Sequence, residues 1–275
     1  MSDRSGVDSL MPDLSVISAV TTGAALKAHW FDYQRKLFSS KAEGWRIASR
    51  LAALMDGYIR HLCDTDEGFT VLAVGGYGQG RLAPYSDVDL LILYSDHVEN
   101  KDIPHFLYTL WDAGFTVSHA LHTPQSAIKA ARENIQTCTS FIDARRVMGS
   151  SHLEEDFISA LDAYRSTTVS AFIDAKLQEQ ADRHAQADNS IYAIEPDVKD
   201  GRGGIRDLQT LHWLKRYQSG IRNEKQGKFD SPGFLSSREK RRLKKIGEFL
   251  WSVRVHLHDL IKRADDRLYF PLQSD

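Results

Sequence analysis

Cysteine is nearly absent. The 275 residues hold only Cys63 and Cys138, far apart and outside any metal-ligand spacing. That argues against a disulfide framework and against a cysteine-bound metal, and it fits a reducing compartment. Charge of one sign is also lacking: 35 Lys and Arg offset 37 Asp and Glu, for a formal charge of −2. No global field therefore points to nucleic acid or to a membrane surface. No apolar run approaches the roughly 20 residues of a membrane span. The opening "MSDRSGVDSLMPDLS" has neither the basic start nor the apolar core of a signal peptide. No internal repeat or low-complexity block occurs. The expectation is a cytoplasmic protein without nucleic-acid or membrane partners, whose residues 1–22 form a loose leader.

Residues 23–64 carry helical spacing, with Trp30, Leu37, Ile47, Leu51, Leu54 and Ile59 as an apolar stripe broken at "SSKAEG". The pattern then changes. "FTVLAVGG" (69–76) and "VDLLILYS" (88–95) are short β-branched apolar runs. "DIPHFLYTLWDAG" (102–114) fits a helix, "FTVSHALHT" (115–123) a third strand and "SFIDARRVMG" (140–149) a fourth. A helix is expected after Thr123-Pro124, since proline suits the first helical position. From Ser151 the pattern is helical, interrupted by a Pro- and Gly-rich loop at 193–204. In the last helix, about 236–263, Leu243, Ile246, Leu250, Val253, Leu257 and Leu260 form an apolar seam. Trp213, Phe249 and Trp251 read as core. The fold expected is α+β: a small mixed sheet with helices over 65–150, then a helical domain over 151–275 holding a glycine-rich loop at 199–207.

"GGYGQGRLAPYSDVD" (75–89) carries the chemistry. A dinucleotide fingerprint fails, because Arg81 stands where the third glycine is needed and Pro84 interrupts any long helix. A Walker loop fails too: Gly75 and Gly80 have the spacing, but Arg81-Leu82 follow in place of Lys-Ser/Thr. Asp87 and Asp89 remain. On a strand, i and i+2 side chains share a face, and paired carboxylates suit hard cations such as magnesium. Gly75, Gly76 and Gly78 let backbone N–H groups approach phosphate oxygens, with Ser86 beside them. The alternative is a glycine turn before a strand capped by its aspartates. A second stretch, "KDGRGGIRD" (199–207), places Lys199, Arg202 and Arg206 among three glycines at a helix start. It suits an anion equally as well as it suits an interdomain turn.

The order of apolar strand, Gly-Gly and Asp-x-Asp resembles the DNA-polymerase-β-like nucleotidyltransferase superfamily. "GGYGQGRLAPYSDVDLLIL", "EPDVKDGRGGIRDLQTLHWL" and "HLHDLIKRADDRLYFPLQ" together resemble the bacterial PII uridylyltransferase family, from about residue 24 onward. The resemblance implies a Mg2+-dependent transfer of a uridylyl group from UTP to a tyrosine of the nitrogen-regulatory PII protein. Asp87 and Asp89 would hold metal, and Gly75, Gly76, Gly78, Ser86, Lys199, Arg202 and Arg206 the nucleotide. The family's further HD phosphohydrolase and glutamine-sensing ACT domains find no counterpart in these 275 residues, so the transferase half is what the resemblance implies. His258-Asp259 lacks partner histidines and reads as a coincidental dipeptide.

Members of the superfamily commonly add a third carboxylate. Strand 115–122 offers none, so Asp143 is the candidate; its alternative is an ion pair with Arg145 or Arg146. His119 and His122 read as strand packing. "SREKRRLKK" (237–245) reads as a solvated helix face, with docking of an acidic partner as the alternative. Without a third acid, a nucleotide-binding remnant with little catalysis is a second functional expectation, and protein adenylyl transfer a third.

Overall fold

A computed structural model describes residues 12, 17, 22–63, 68–95, 105–186, 193–219 and 235–273. The leader expected over 1–22 lies almost wholly outside these residues, as do the first three residues of the helix expected at 102–114. The elements are α1 (Gly23–Ser39), α2 (Gly44–Leu62), β1 (Phe69–Ala73), a single turn α3 (Gly75–Gly78), β2 (Val88–Tyr94), α4 (His105–Asp112), β3 (Val117–His122), α5 (Pro124–Glu133), α6 (Ile135–Phe141), β4 (Arg145–Gly149), α7 (Ser151–Gln186), α8 (Ile205–Ser219) and α9 (Ser237–Ile261). The sheet runs β3-β2-β1-β4. β1 is antiparallel to β2 and to β4, while β2 and β3 are parallel. This is the small mixed sheet of an α+β fold.

Both faces of the sheet are covered, and side-chain alternation decides which residue meets which layer. Val71, Ala73, Leu90 and Ile92 join the core formed with α1, α2 and α4. Leu72, Leu91 and Leu93 join the core formed with α5, α6, α7 and α8. The helices after Ser151 therefore complete the sheet's burial. α9 packs on α2, where Gly44 allows close approach: a Cβ there would lie 2.4 Å from the Ser252 Cα.

Local signals explain most boundaries. Thr123 and Ser126 form a capping box with Pro124 at the start of α5. Asn134 caps α6 by accepting from the Thr137 N–H at 2.8 Å. That cap draws Ser140 and Phe141 into a helix, so the strand expected over 140–149 shrinks to Arg145–Gly149. α7 is two helical segments joined across a kink at Thr168, whose φ/ψ of −127°/16° is non-helical.

The face of α9 differs from the expected seam. Trp251, Val255 and Leu257 are buried, whereas Ile246 and Leu260 are exposed and Phe249 is 66% exposed. The Gly44–Ser252 contact fixes the helix's rotation and turns position 249 outward. The basic run of 237–245 is largely exposed, as a solvated face should be. The inward face instead carries Arg254 and His258, whose Nε and Nε2 bond Asp266 at 2.7 and 2.8 Å.

Leu257→Ala should cost about 2–5 kcal/mol in urea unfolding, as a large-to-small change in a core does. Phe249→Gln should stay within about 0.5 kcal/mol, as an exposed change does.

Candidate active site

Asp87 lies just before β2 and Asp89 is its second residue. The Val74 N–H donates to the Asp89 carbonyl at 3.0 Å, extending the β1–β2 pairing and setting the glycine turn beside the carboxylates. Gly75 has φ +57°, a left-handed conformation that glycine adopts without strain. A Cβ there would sit 3.1 Å from Asp89 Oδ2. Gly75 thus meets two demands at once, a backbone reversal and room for an acid.

The carboxylates open into a cavity of about 520 Å³. Gly75, Gly76, Ser86, Lys199 and Arg206 line it together with Asp87 and Asp89, so seven of the candidate residues converge. Ser86 also accepts from the Ala83 N–H at 3.0 Å, tightening the turn that presents Asp87. Gly78, Arg202 and Asp143 do not line the cavity. Gly78 serves packing: a Cβ would meet the Asp143 carbonyl at 2.4 Å.

Asp143 is the main departure from the sequence reading. It pairs with neither Arg145, which bonds Asp56, nor Arg146, which bonds Glu154. It is 2% exposed and accepts from Gln79 (2.7 Å), His212 (2.9 Å), Trp213 (2.9 Å) and Arg216 (2.8 Å). Burial pushes its carboxyl up, but the bonds and charge of His212, then Arg216 and Gln79, outweigh that and hold it below the usual range. The donors saturate this acid and tie α8 to the glycine turn. His119 packs on Trp111 and His122 bonds Ser126, both away from the cavity.

Other residues of the cavity were not singled out by sequence. Lys176 and Arg183, seven apart on α7, project into it with Glu179 between them. The Lys176 side chain is 2% exposed, 2.8 Å from Glu179 and 4.7 Å from the Trp213 ring centroid. Arg206 lies over the same ring at 5.5 Å, and Arg81 and Arg254 over Trp251 at 5.6 and 5.2 Å. The i, i+3, i+7 stripe was the available signal, but such a stripe reads as a solvated face until α8 is seen packed on it.

The 199–207 loop is tightly held. The Asp197 side chain accepts from the Lys199 and Asp200 N–H groups at 2.8 and 2.6 Å. Asp207 accepts from the Gly203 N–H and from Arg183, both at 2.7 Å. Burial alone would raise the Asp207 carboxyl, but bonds from Arg183, Gln180 and Gly203 bring it down to about 2. Asp266 lies 3.7 Å from Lys199 and accepts from Arg254 and His258, which hold it well below the usual range despite burial. The dipeptide His258-Asp259 is split: Asp259 instead accepts from Gln34 and Lys262.

Burial, then the neighbouring Asp87, pushes Asp89 up to about 6, against the pull of Lys199 and Arg206. Among the described residues neither the Asp87 nor the Asp89 carboxylate accepts a hydrogen bond from a protein donor. Two acids without hydrogen-bond donors of their own, in a cavity that six basic side chains also line, fit a divalent cation. Among the described residues no cluster of three His, Cys, Asp or Glu forms. The donor set therefore suits magnesium, which is usually held by one or two carboxylates with water and phosphate oxygens completing its shell.

The family described as "Nucleotidyltransferase domain" matches residues 55–218, and the chain belongs to it. Residues 171–275 match a second family, "GlnD PII-uridylyltransferase". Curated relatives include the bifunctional uridylyltransferase/uridylyl-removing enzyme of Rhodopseudomonas palustris, 35% identical over 84% of this chain and 27% of the relative. The proteins of the same name from Caulobacter vibrioides and Nitrobacter hamburgensis are 41% and 35% identical, over 76% and 88% of this chain. The chain spans about a quarter of the length of these relatives.

Because folding raises the Asp89 pKa from 3.8 to about 6, ionised Asp89 costs stability above pH 6, and that cost vanishes below pH 4. Metal-free Asp89→Asn should therefore melt above wild type at pH 8, by up to about 3 kcal/mol of stability, and match it at pH 3.5. Magnesium should raise the wild-type melting temperature more at pH 8 than at pH 5. Separately, Asp143→Ala strands buried donors and should cost about 3–5 kcal/mol in denaturant unfolding.

Proposed function

We propose that this chain transfers a uridylyl group from UTP to a tyrosine of a PII signalling protein, with magnesium held by Asp87 and Asp89. The observation that carries the reading is the convergence in one cavity of a carboxylate pair without hydrogen-bond donors, a glycine turn and cations from four separate segments. The names of the relatives supply the base and the reaction.

Gly75 and Gly76 bring the turn's backbone against the phosphates, where its first N–H groups lack partners within the turn. Lys199, Arg206, Lys176 and Arg183 face the charge that develops on the departing pyrophosphate. The ring face of Trp213 fixes Lys176 and Arg206 in place rather than neutralising them, as that of Trp251 does for Arg81 and Arg254. Magnesium, when bound, stabilises charge on the phosphates and lowers the cost of ionising a phenol whose free pKa is about 10. Asp143 acts as a positioning residue, setting the distance between α8 and the glycine turn.

One observation favours a second reading, a chain that binds nucleotide but turns it over poorly: the third acid is locked in the α8 contact. Labelled-UTP transfer to purified PII protein tests both readings. Asp87→Asn or Asp89→Asn should reduce the rate by at least about a hundredfold, the scale of losing a transition-state charge clamp. UTP, ATP and CTP run in parallel report base choice, including adenylyl transfer. Calorimetric UTP binding without transfer would favour the second reading.

A further inference from the structure

A second cavity, of about 380 Å³, lies across Asp87 from the first. The two share Leu82, Ser86, Asp87 and Ala264 as their dividing wall. Its chemistry differs from that of the first. Trp30 and Phe31 of α1, Tyr85 of the turn and Phe115 before β3 give it aromatic sides. Trp30 meets Phe115 edge-on with ring centroids 5.0 Å apart, and Phe31 lies 6.4 Å from Tyr85. Lys27, Lys262 and Arg263 stand at its margin, and among the described residues Asp87 is the one acid lining it. Lys262 and Arg263 are exposed and pair with the half-buried Asp259 and Asp265, each at 2.8 Å. A pair with so exposed a cation contributes little, so the cation is open to a further acidic partner. Lys27 is exposed and forms no ion pair among the described residues.

Displacement at phosphorus requires the attacking and leaving oxygens to lie roughly in line. The cations that would receive pyrophosphate all line the first cavity. An attacking hydroxyl must then reach the α-phosphate from the far side of Asp87, and the second cavity opens there. We propose that this cavity is the acceptor subsite, and that it takes a protein segment bearing a tyrosine flanked by carboxylates. The aromatic sides suit a planar phenol, and the three cations suit acidic flanks. The proposal rests on the transferase reading above. In the step it serves, the phenol oxygen bonds to the α-phosphorus as the bond to pyrophosphate breaks, and the hydroxyl proton passes to water.

The test uses the full chain and two synthetic peptides with one tyrosine, flanked by Glu in one and by Lys in the other. Fluorescence anisotropy with UTP and magnesium present should show the Glu peptide binding at least about tenfold more tightly, with the preference falling as salt rises. Lys27→Glu should abolish the preference while leaving UTP affinity by calorimetry within about twofold, since Lys27 lies outside the first cavity. Phe31→Ala should weaken both peptides. No preference, no binding of either peptide, or a preference indifferent to Lys27→Glu overturns the subsite. Labelled-UTP transfer run alongside separates the two ideas. Preference without transfer upholds the subsite and defeats the transferase reading; transfer indifferent to Lys27 does the reverse.

Discussion

The buried charge of Asp143 is the constraint on which the site depends. A carboxylate taken out of water must be met by donors, or it costs several kcal/mol. Here Gln79 comes from the glycine turn and His212, Trp213 and Arg216 from α8. Satisfying one acid therefore brings the glycine turn to a helix more than sixty residues away in sequence. Gln209, one turn before His212–Trp213, reaches Gln79 at 3.5 Å and accepts from Arg206 at 3.1 Å, so the same contact sets the position of a candidate phosphate-binding cation.

Around this anchor the charges separate into two populations. Asp143, Asp207 and Asp266 are acids whose partners hold them ionised, and each fastens an element to its neighbour. Asp89 is the opposite case, pushed upward beside Asp87. Among the described residues these acids are met by donors, whereas half-buried Asp89, beside exposed Asp87, carries an electrostatic cost that a ligand can relieve. Perturbation of this kind at a cleft marks functional sites more often than structural ones.

The glycine turn and the Asp-x-Asp pair were legible because their geometry is local: strand alternation and left-handed glycine follow from sequence neighbours alone. The sheet's strands were legible for the same reason, from β-branched runs ended by Gly and Pro. Long-range facts were not. Whether Asp143 faces the cavity depends on α8, and the sequence around "FIDARR" offers Arg145 and Arg146 as nearer partners. Lys176 and Arg183 sit on a helix face that looks solvated until Trp213 covers it. Phe249 fits the 3–4 spacing as well as Trp251 does; only the Gly44–Ser252 contact chooses between them.

The central claim is that Asp87 and Asp89 hold a divalent cation jointly with a nucleoside triphosphate. Electron paramagnetic resonance of Mn2+, an octahedral oxygen-seeking stand-in for magnesium, tests it most directly. Mn2+ should bind the chain tightly only with a non-hydrolysable UTP analogue present, and Asp87→Asn with Asp89→Asn should abolish that signal. Equal Mn2+ binding by the double variant and wild type would contradict the account.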